Sequence, residues 1–446
     1  MDTNAPKTPA TLPLAAWHAM SSGTAAHEVH QRVAGLAPRL RAAALAWLRP
    51  EADLAAELQA GANGRVLAGV PYMLKDLFDL AGVPTRAGSV FLDQVRPTPT
   101  RDSRIVSRLR EYGAGCAGKT QLVEFASGLT GENPHYGDCP HPLFPDRLTG
   151  GSSSGSAAMV AAGVVPLAIG TDTGGSVRVP AAWCGLHGFR LTPGDDLISD
   201  AFPLAPTMDT AGWFTANAGD MLTAWKALAC RAAAGRQAGP DSQTGPAASA
   251  GPTAAKEPRG CHLPMTALLP SADAGTAGAC DAAAAKLGPP ASAATQQAFL
   301  TDWREAVDAY VTIGMSEAHA VHRDWLAPYR AQYDPVIWQR FTDAGNFSAE
   351  KIARARATLQ SIRAGWGRFF AEYDYLVLPS VPGPAPRKAD CTPELRRNIL
   401  ALTAPASLGG LPVLSLPVAL PSGLTAGLQI ILPRANSPVV PWLLNR

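Results

Sequence analysis

Large apolar residues recur at helical spacing near the start of the chain. Between residues 14 and 48 they follow one another at intervals of three, four or seven, as on the buried face of an amphipathic helix: Val29, Val33, Leu36, Leu40 and Trp47. Pro38 interrupts this stretch, and proline lacks the backbone N–H that a helix interior needs. The pattern therefore predicts two helices that meet near Pro38.

Further along, short apolar runs alternate with helical patterns. The run "VPYMLK" predicts a buried strand that ends near Lys75, and "SRIVSRLREYGAG" predicts a helix that ends at a glycine and leads into another strand. Helical patterns return in "TQQAFLTDWREAVDAYVTIGMSEAHAVHRDWL" and "SAEKIARARATLQSIRAGWGRFFAEY", before the strand-like runs "YLVLPS", "LPVLSLPVAL" and "AGLQIILP". This alternation favours an α/β layered fold.

Residues 231–260 interrupt the alternation. Eighteen of these thirty residues are Ala, Gly or Pro, and none is a large apolar residue. Such a segment cannot bury enough apolar surface to order itself, so we interpret it as a surface insertion. No clear strand or helix pattern is found up to about residue 300, and the C-terminal helices and strands are expected over 295–446.

Composition and charge exclude several classes of protein. With 446 residues and 47% hydrophobic residues the chain can bury a large core. The net charge is only +2, without a Lys/Arg cluster, so neither nucleic acid nor a membrane surface is expected as a partner. No apolar stretch reaches the length of a membrane span, and no signal peptide is recognised. Seven cysteines without a CxxC pair argue against a disulfide framework or a zinc site. We therefore expect a cytoplasmic protein.

The stretch "GTDTGGSVRVP" is the first candidate for chemistry. Glycines before a serine allow successive backbone N–H groups to point into one cavity, because glycine accepts positive φ and has no side chain to obstruct it. Thr173, Gly174, Gly175 and Ser176 would then form an oxyanion nest around the Ser176 hydroxyl. A glycine-rich turn that ends a strand is an equally good interpretation of this fragment alone.

A second hydroxyl-rich loop lies upstream, at Ser152, Ser153 and Ser154. The intervening residues predict one helix and one short strand, which would return both loops to the same edge of a sheet. A nucleophilic serine needs a base. His187 lacks a carboxylate nearby in sequence, whereas Lys75 follows an apolar strand. Taken alone, this lysine could instead lie at the surface or pair with the aspartate that follows it. Lowering a lysine pKa from ~10.4 to ~7 takes about 4.6 kcal/mol, which burial can supply.

Three motifs together carry a family resemblance: "GVPYMLKDLFD", "GKTQLVEFASGLTGENPHYGDCPHP" and "GGSSSGSAAMVAAGVVPLAIGTDTGGSVRVPAAWCGLHGF". They resemble the amidase signature family, most clearly over residues 60–190. The resemblance implies Ser176 as nucleophile, Lys75 as base, and Ser152, preceded by a cis peptide, as the proton relay between them. Ser153, Ser154, Asp172 and Arg178 are implied as supporting residues, and neither a metal nor a cofactor is implied.

The resemblance also implies the architecture and the reaction. We expect one amidase domain over 1–446, with a central mixed twisted β-sheet covered by α-helices on both faces. It would comprise an N-terminal helical part (1–60), a signature core (61–220), the insertion and the C-terminal part. The expected reaction is hydrolysis of a small-molecule carboxamide through an acyl-serine intermediate, with a homodimer as one candidate assembly.

Two features differ from the family pattern. Ser154 replaces a glycine that many members have, and Arg190 replaces a lysine in "GFRLTPG". Two alternatives stay open: a glutaminase subunit of a tRNA-dependent amidotransferase, and a non-catalytic amide-binding protein on the same scaffold.

Overall fold

A computed structural model describes residues 11–62, 64–230 and 257–446. Its strands are β1 Leu45–Leu48, β2 Pro71–Lys75, β3 Gly115–Thr120, β4 Leu167–Thr171, β5 His187–Arg190, β6 Ala211–Thr215, β7 Gly260–His262, β8 Tyr375–Pro379, β9 Val413–Ala419 and β10 Thr425–Ile431.

Helices lie before, between and after these strands. They are α1 Leu14–His18, α2 Ser22–Ala34, α3 Pro38–Ala44, α4 Glu51–Ala60, α5 Leu92–Val95, α6 Arg104–Glu111, α7 Ser154–Ala161, α8 Arg178–Trp183, α9 Ala218–Leu228, α10 Met265–Leu268, α11 Ala274–Ala285, α12 Ala293–Asp302, α13 Ala306–His322, α14 Pro335–Ala344, α15 Ala349–Phe370, α16 Pro393–Leu408 and α17 Val439–Leu444. Within the described ranges, no helix is both long enough and apolar enough to cross a lipid bilayer.

All ten strands belong to one sheet, in the order β1-β3-β2-β4-β6-β5-β9-β10-β8-β7. β2 runs parallel to its neighbours β3 and β4, and β7 runs parallel to β8. The remaining neighbours are antiparallel, so the sheet is mixed. β2 and β4 end at the same edge of the sheet, and their last residues, Lys75 and Thr171, therefore lie close together.

Apolar side chains from both faces of the sheet are buried. In β2, Tyr72 and Leu74 belong to one core cluster, whereas Met73, which points to the opposite face, belongs to another that includes residues of α2, α3 and α7. In β8, Val377 and Leu376 are divided in the same way between two clusters. Helices therefore cover both faces, and the predicted α/β fold with a mixed sheet is confirmed.

The N-terminal prediction is correct in part. α2 ends at Ala34 and α3 begins at Pro38, so the two helices do meet where the proline was expected to separate them. Trp47, which the helical spacing included, instead lies in β1, where it pairs with Lys119 of β3. Pairing with β3 overrides helical periodicity here, because the backbone groups of β1 are satisfied by the neighbouring strand instead of by a continued helix.

Residues 257–300 contain more structure than their sequence predicts. β7, α10 and α11 all lie before residue 295, where helices were first expected, whereas α12 coincides with the start of the predicted helical pattern. Gly260, the last residue of the predicted insertion, opens β7, and a side chain there would collide with the Tyr375 ring. Residues 231–256 lie outside the described residues.

Gly155, in the first turn of α7, allows this helix to pack directly on neighbouring backbone. A Cβ at Gly155 would collide with the carbonyl oxygen of Ala44 and would lie 2.6 Å from that of Gln121. We expect Gly155→Ala to lower the free energy of unfolding by about 1–3 kcal/mol, the usual cost of overpacking. Urea denaturation checks this. Gly278→Ala on α11 is the control, because a Cβ there has no neighbour within 4 Å and should stabilise its helix.

Candidate active site

The ammonium group of Lys75 is the centre of the predicted site. Lys75 is fully buried at the end of β2. Its Nζ contacts three hydroxyl oxygens: Ser152 Oγ at 2.8 Å, Ser153 Oγ at 3.0 Å and Thr171 Oγ1 at 2.8 Å. Within the described ranges no carboxylate lies at ion-pair distance from this amine. It is therefore surrounded by neutral oxygen atoms.

Burial lowers the pKa of Lys75 to about 7, because a buried ammonium loses the hydration that favours its charged form. The carboxylates of Asp172 and Asp209 act in the opposite direction, but they do not outweigh burial. The amine is thus half neutral near pH 7 and can accept a proton there.

The loop that contains Ser152 and Ser153, here called the serine loop, is hydrogen-bonded both to Lys75 at the end of β2 and to the loop that carries Ser176. The Gly151–Ser152 peptide bond is cis. The Ser153 N–H donates to the carbonyl oxygen of Ser176 at 3.3 Å, and the Ser153 hydroxyl donates to the carbonyl oxygen of Thr171 at 3.1 Å. The two hydroxyl-rich loops therefore meet, as the sequence predicts. Ser154 is buried in the first turn of α7, where its hydroxyl makes no hydrogen bond to another described residue.

Asp172 organises the loop between β4 and α8. Its carboxylate accepts hydrogen bonds from the N–H groups of Gly175 (2.8 Å), Val177 (3.0 Å) and Arg178 (3.2 Å). The Gly175 N–H is therefore already occupied. The N–H groups of Thr173, Gly174 and Ser176 have no acceptor among the described residues, so these three amides of the predicted nest remain available.

Two buried arginines hold Asp172 in place. Arg178 donates to both carboxylate oxygens, and Arg190 donates to Oδ1 at 2.9 Å. Burial opposes ionisation of Asp172, but the two guanidinium groups outweigh it and keep its pKa well below the usual range. Arg190, which departs from the family pattern, therefore takes part in this cluster.

A cavity of about 440 Å³ opens onto Ser176. Most of its wall is apolar, from Leu204, Tyr310, Met315, Phe347 and Leu400, together with residues of the 126–129 segment and three arginines on α14 and α16. A larger cavity of about 490 Å³ lies between α13 and α15 but does not reach Ser176. The cavity on Ser176 has the size of a small-molecule site.

Three residues at the site were missed by sequence reasoning. Thr171 contacts Lys75, and Asp209 accepts a hydrogen bond from the Thr173 hydroxyl at 2.6 Å. Tyr310 lies against Gly174 so closely that a side chain at that glycine would collide with the Tyr310 ring and hydroxyl. Thr171 stands beside the serine motif in sequence and could have been suspected. Asp209 and Tyr310 carry no local signal.

His187, the weaker candidate for a base, lies on β5. Burial lowers its pKa to about 4. Its Nδ1 has no hydrogen-bond partner among the described residues. In this structure it is Lys75, not His187, that contacts the serine loop.

Comparison with known proteins identifies the family. The sequence profile described as amidase matches residues 24–437. A 2-amino-5-chloromuconic acid deaminase from Comamonas testosteroni is 32% identical over 84% of this chain and 80% of its own length. A glutamyl-tRNA(Gln) amidotransferase subunit from Methanococcoides burtonii is 30% identical over 85% and 84%. A crystal structure of an amidase superposes with a TM-score of 0.80 at 28% identity, over 97% of this chain and 98% of that one. The chain therefore belongs to the amidase signature family of amide-hydrolysing enzymes.

Proposed function

We propose that this enzyme hydrolyses the carboxamide of a small molecule through an acyl intermediate on Ser176, with Lys75 as the base and Ser152 as the proton relay. The observation that carries the proposal is the hydrogen bond of 2.8 Å between the buried Lys75 amine and the Ser152 hydroxyl, on a loop bonded to the backbone of Ser176.

The hydrogen bonds around Lys75 support the role of Ser152 as the proton relay. A neutral lysine has two N–H donors and one lone pair, so one of the three hydroxyl contacts of Lys75 must donate to nitrogen. The Ser153 hydroxyl already donates to the Thr171 carbonyl oxygen. Ser152 or Thr171 can therefore supply this proton. We assign it to Ser152, which lies on the loop bonded to Ser176 and whose oxygen is then free to accept the proton of Ser176.

The reaction then has two halves. As the Ser176 oxygen bonds to the substrate carbonyl carbon, its proton passes to Ser152, whose own proton passes to Lys75. The same relay returns a proton to the leaving nitrogen as the C–N bond breaks, and ammonia or an amine departs. Water repeats the sequence, releases the carboxylate and restores Ser176. The proposal requires the Ser176 hydroxyl to rotate toward Ser152 when substrate binds, since the two side chains are not hydrogen-bonded to each other here.

The unoccupied amides of the nest would stabilise the oxyanion. Thr173, Gly174 and Ser176 can donate to the developing negative charge, whereas the Gly175 N–H is held by Asp172. Each such donor typically contributes about 3–4 kcal/mol to lowering the barrier.

The direct test is covalent labelling followed by mass spectrometry. A fluorophosphonate should add one phosphonyl group, located on Ser176 by peptide mapping. Ammonia release should be followed in parallel with aliphatic, aromatic, dicarboxylic and urea-like amides. Labelling of a different serine, or none, together with no turnover of any amide, would contradict the proposal.

The pH dependence follows from Lys75. The Lys75 amine must lose its proton before it can act as a base, and its pKa is lowered to about 7. The value of kcat/KM for an uncharged amide should therefore rise with pH and reach half its plateau near pH 7. Below pH 7 it should fall about tenfold per pH unit. Lys75→Ala should be about 10²- to 10⁴-fold slower and lose this titration. A half-point near pH 10 would contradict a lowered lysine pKa.

A second candidate function comes from the amidotransferase relative. A glutaminase subunit would pass its ammonia to a partner rather than release it. Rapid turnover of small amides by the isolated chain would favour the free amidase. Glutamine cleavage that occurs only in the presence of partner subunits would favour the glutaminase.

A further inference from the structure

The cavity on Ser176 carries an excess of positive charge that the proposed chemistry does not use. Its charged lining residues are Arg340, Arg396, Arg397 and Asp343. Arg397 is exposed and pairs with Asp308, and Asp343 accepts a hydrogen bond from Gln339. Arg340 and Arg396 also line a neighbouring cavity of about 190 Å³, so they lie where the two cavities adjoin.

Arg340, on α14, is a half-buried cation without a counter-ion. Its Nη1 donates to the carbonyl oxygen of Ser127 at 3.1 Å, and no carboxylate of the described chain lies within ion-pair distance. Burial and the positive charge of Arg396 both lower the pKa of Arg340, which indicates that the two guanidinium groups are close enough to repel one another. The carboxylates of Asp334 and Glu132 act in the opposite direction but do not outweigh these two effects. A bound anion would relieve both costs.

Arg396, on α16, is only partly satisfied. Its Nη2 donates to Glu132 at 2.7 Å, while its buried Nε has no hydrogen-bond acceptor. Glu132 also pairs with Lys388 at 2.7 Å, so the charge of this carboxylate is shared between two cations. An unused donor on Arg396 therefore remains beside the unpaired Arg340.

The surrounding wall determines what kind of anion suits the pair. Tyr310, Met315, Phe347 and Leu400 leave little other polar surface in the cavity. The guanidinium of Arg340 has no ion-pair partner, and that of Arg396 is partly neutralised by Glu132. Together they match a single negative charge better than the double charge of a phosphate. A carboxylate also matches the planar, forked geometry of a guanidinium.

We propose that Arg340 and Arg396 form an anion subsite, and that the substrate is a small amide whose other end carries a carboxylate. This rests on the proposed function, because it places the carboxamide at Ser176 and the apolar body of the substrate between the two ends of the cavity. The class comprises monoamides of dicarboxylic acids and related N-acyl or carbamoyl acids with one free carboxylate.

The test measures binding separately from catalysis. Isothermal titration calorimetry with the Ser176→Ala protein should compare the monoamides of the three- to eight-carbon dicarboxylic acids with uncharged amides of equal length. At least one carboxylated member should bind about 100-fold more tightly than its uncharged partner. Arg340→Gln should reduce this preference to less than about fivefold, and Arg340→Lys should leave an intermediate preference.

Arg356→Gln is the matched control, since it removes the same charge from an exposed position on α15 outside the cavity. It should retain the full preference for the carboxylated amide. Thermal unfolding of each variant verifies that it folds. If no carboxylated amide binds more tightly than its uncharged partner, including the case in which none binds, the subsite is refuted. A chain that shows the binding preference but neither turns over amides nor labels at Ser176 would retain the subsite and lose the proposed reaction.

Discussion

Replacing Ser176 with alanine is expected to lower kcat for any amide substrate by about 10⁵- to 10⁶-fold, the scale on which hydrolases lose activity when their nucleophile is removed. In the proposed mechanism no acyl-enzyme can form without the Ser176 oxygen, and the proposed Lys75–Ser152 relay then has no proton to accept from a nucleophile. Ammonia release under single-turnover conditions, with the enzyme in excess, measures the loss without interference from slow product release.

The control for this substitution is Ser199→Ala. Ser199 is exposed, and its hydroxyl donates to the carbonyl oxygen of Asp196, away from the cavity. This variant should retain the activity of the wild type. Because Ser176 is itself small, Ser176→Ala should unfold at nearly the wild-type temperature. A Ser176→Ala protein with more than a hundredth of wild-type activity would mean that the nucleophile is another group.

The largest loss of stability is expected from Asp172→Asn, at about 3–5 kcal/mol. Asparagine preserves the shape of the side chain but removes the only carboxylate at ion-pair distance from Arg178 and Arg190 among the described residues. Both guanidinium groups are fully buried, and two Arg190 nitrogens already have no acceptor. Urea denaturation gives the loss. Activity should fall with it, because both carboxylate oxygens accept hydrogen bonds from loop amides and asparagine replaces one of these oxygens with an NH2 group, which cannot accept.

Asp308→Asn provides the comparison for Asp172. Asp308 pairs with Arg397 on the surface, and exposed ion pairs contribute little to stability, so its denaturation midpoint should hardly move. Acid gives a second check. Since the folded-state pKa of Asp172 lies below its unfolded value, the contribution of this carboxylate is complete above about pH 4 and is lost as the pH falls further. Equal stability of the Asp172→Asn and wild-type proteins at pH 7 would contradict this account.

The elements that the sequence predicts well are those with large apolar residues at regular spacing. β2, β8, β9 and β10 appear as predicted, because branched and aromatic side chains on a buried strand leave a clear local pattern. α11 was missed because Ala and Gly make up most of it. Its buried face consists of Thr276, Ala277, Cys280 and Ala284, and such small side chains barely raise the hydrophobicity of one helix face over the other.

The residues of the candidate site also differ in how clearly the local sequence marks them. Lys75, Ser152 and Ser176 were recognisable because short motifs keep them in fixed local surroundings, and the structure brings the first two into contact and bonds their loop to the third. Their catalytic roles stay predictions. Tyr310 and Arg340 could not be found, because they lie on helices from distant parts of the chain that meet at the cavity, and nothing near them in sequence distinguishes them from other residues on those helices. The fold class and the family resemblance are confirmed.

The loop that carries Ser176 is anchored from the far end of the chain. Arg178 donates to the Thr403 carbonyl oxygen at 2.8 Å, to Gln429 at 3.0 Å and to Ser407 at 2.7 Å. In addition, β5, the strand that follows α8, pairs with β9. During translation these acceptors are made long after the catalytic motifs. A nascent chain on the ribosome therefore contains Lys75, Ser152 and Ser176 before it has the contacts that anchor the Ser176 loop. We expect the proposed amide cleavage to begin only once the last strands have folded.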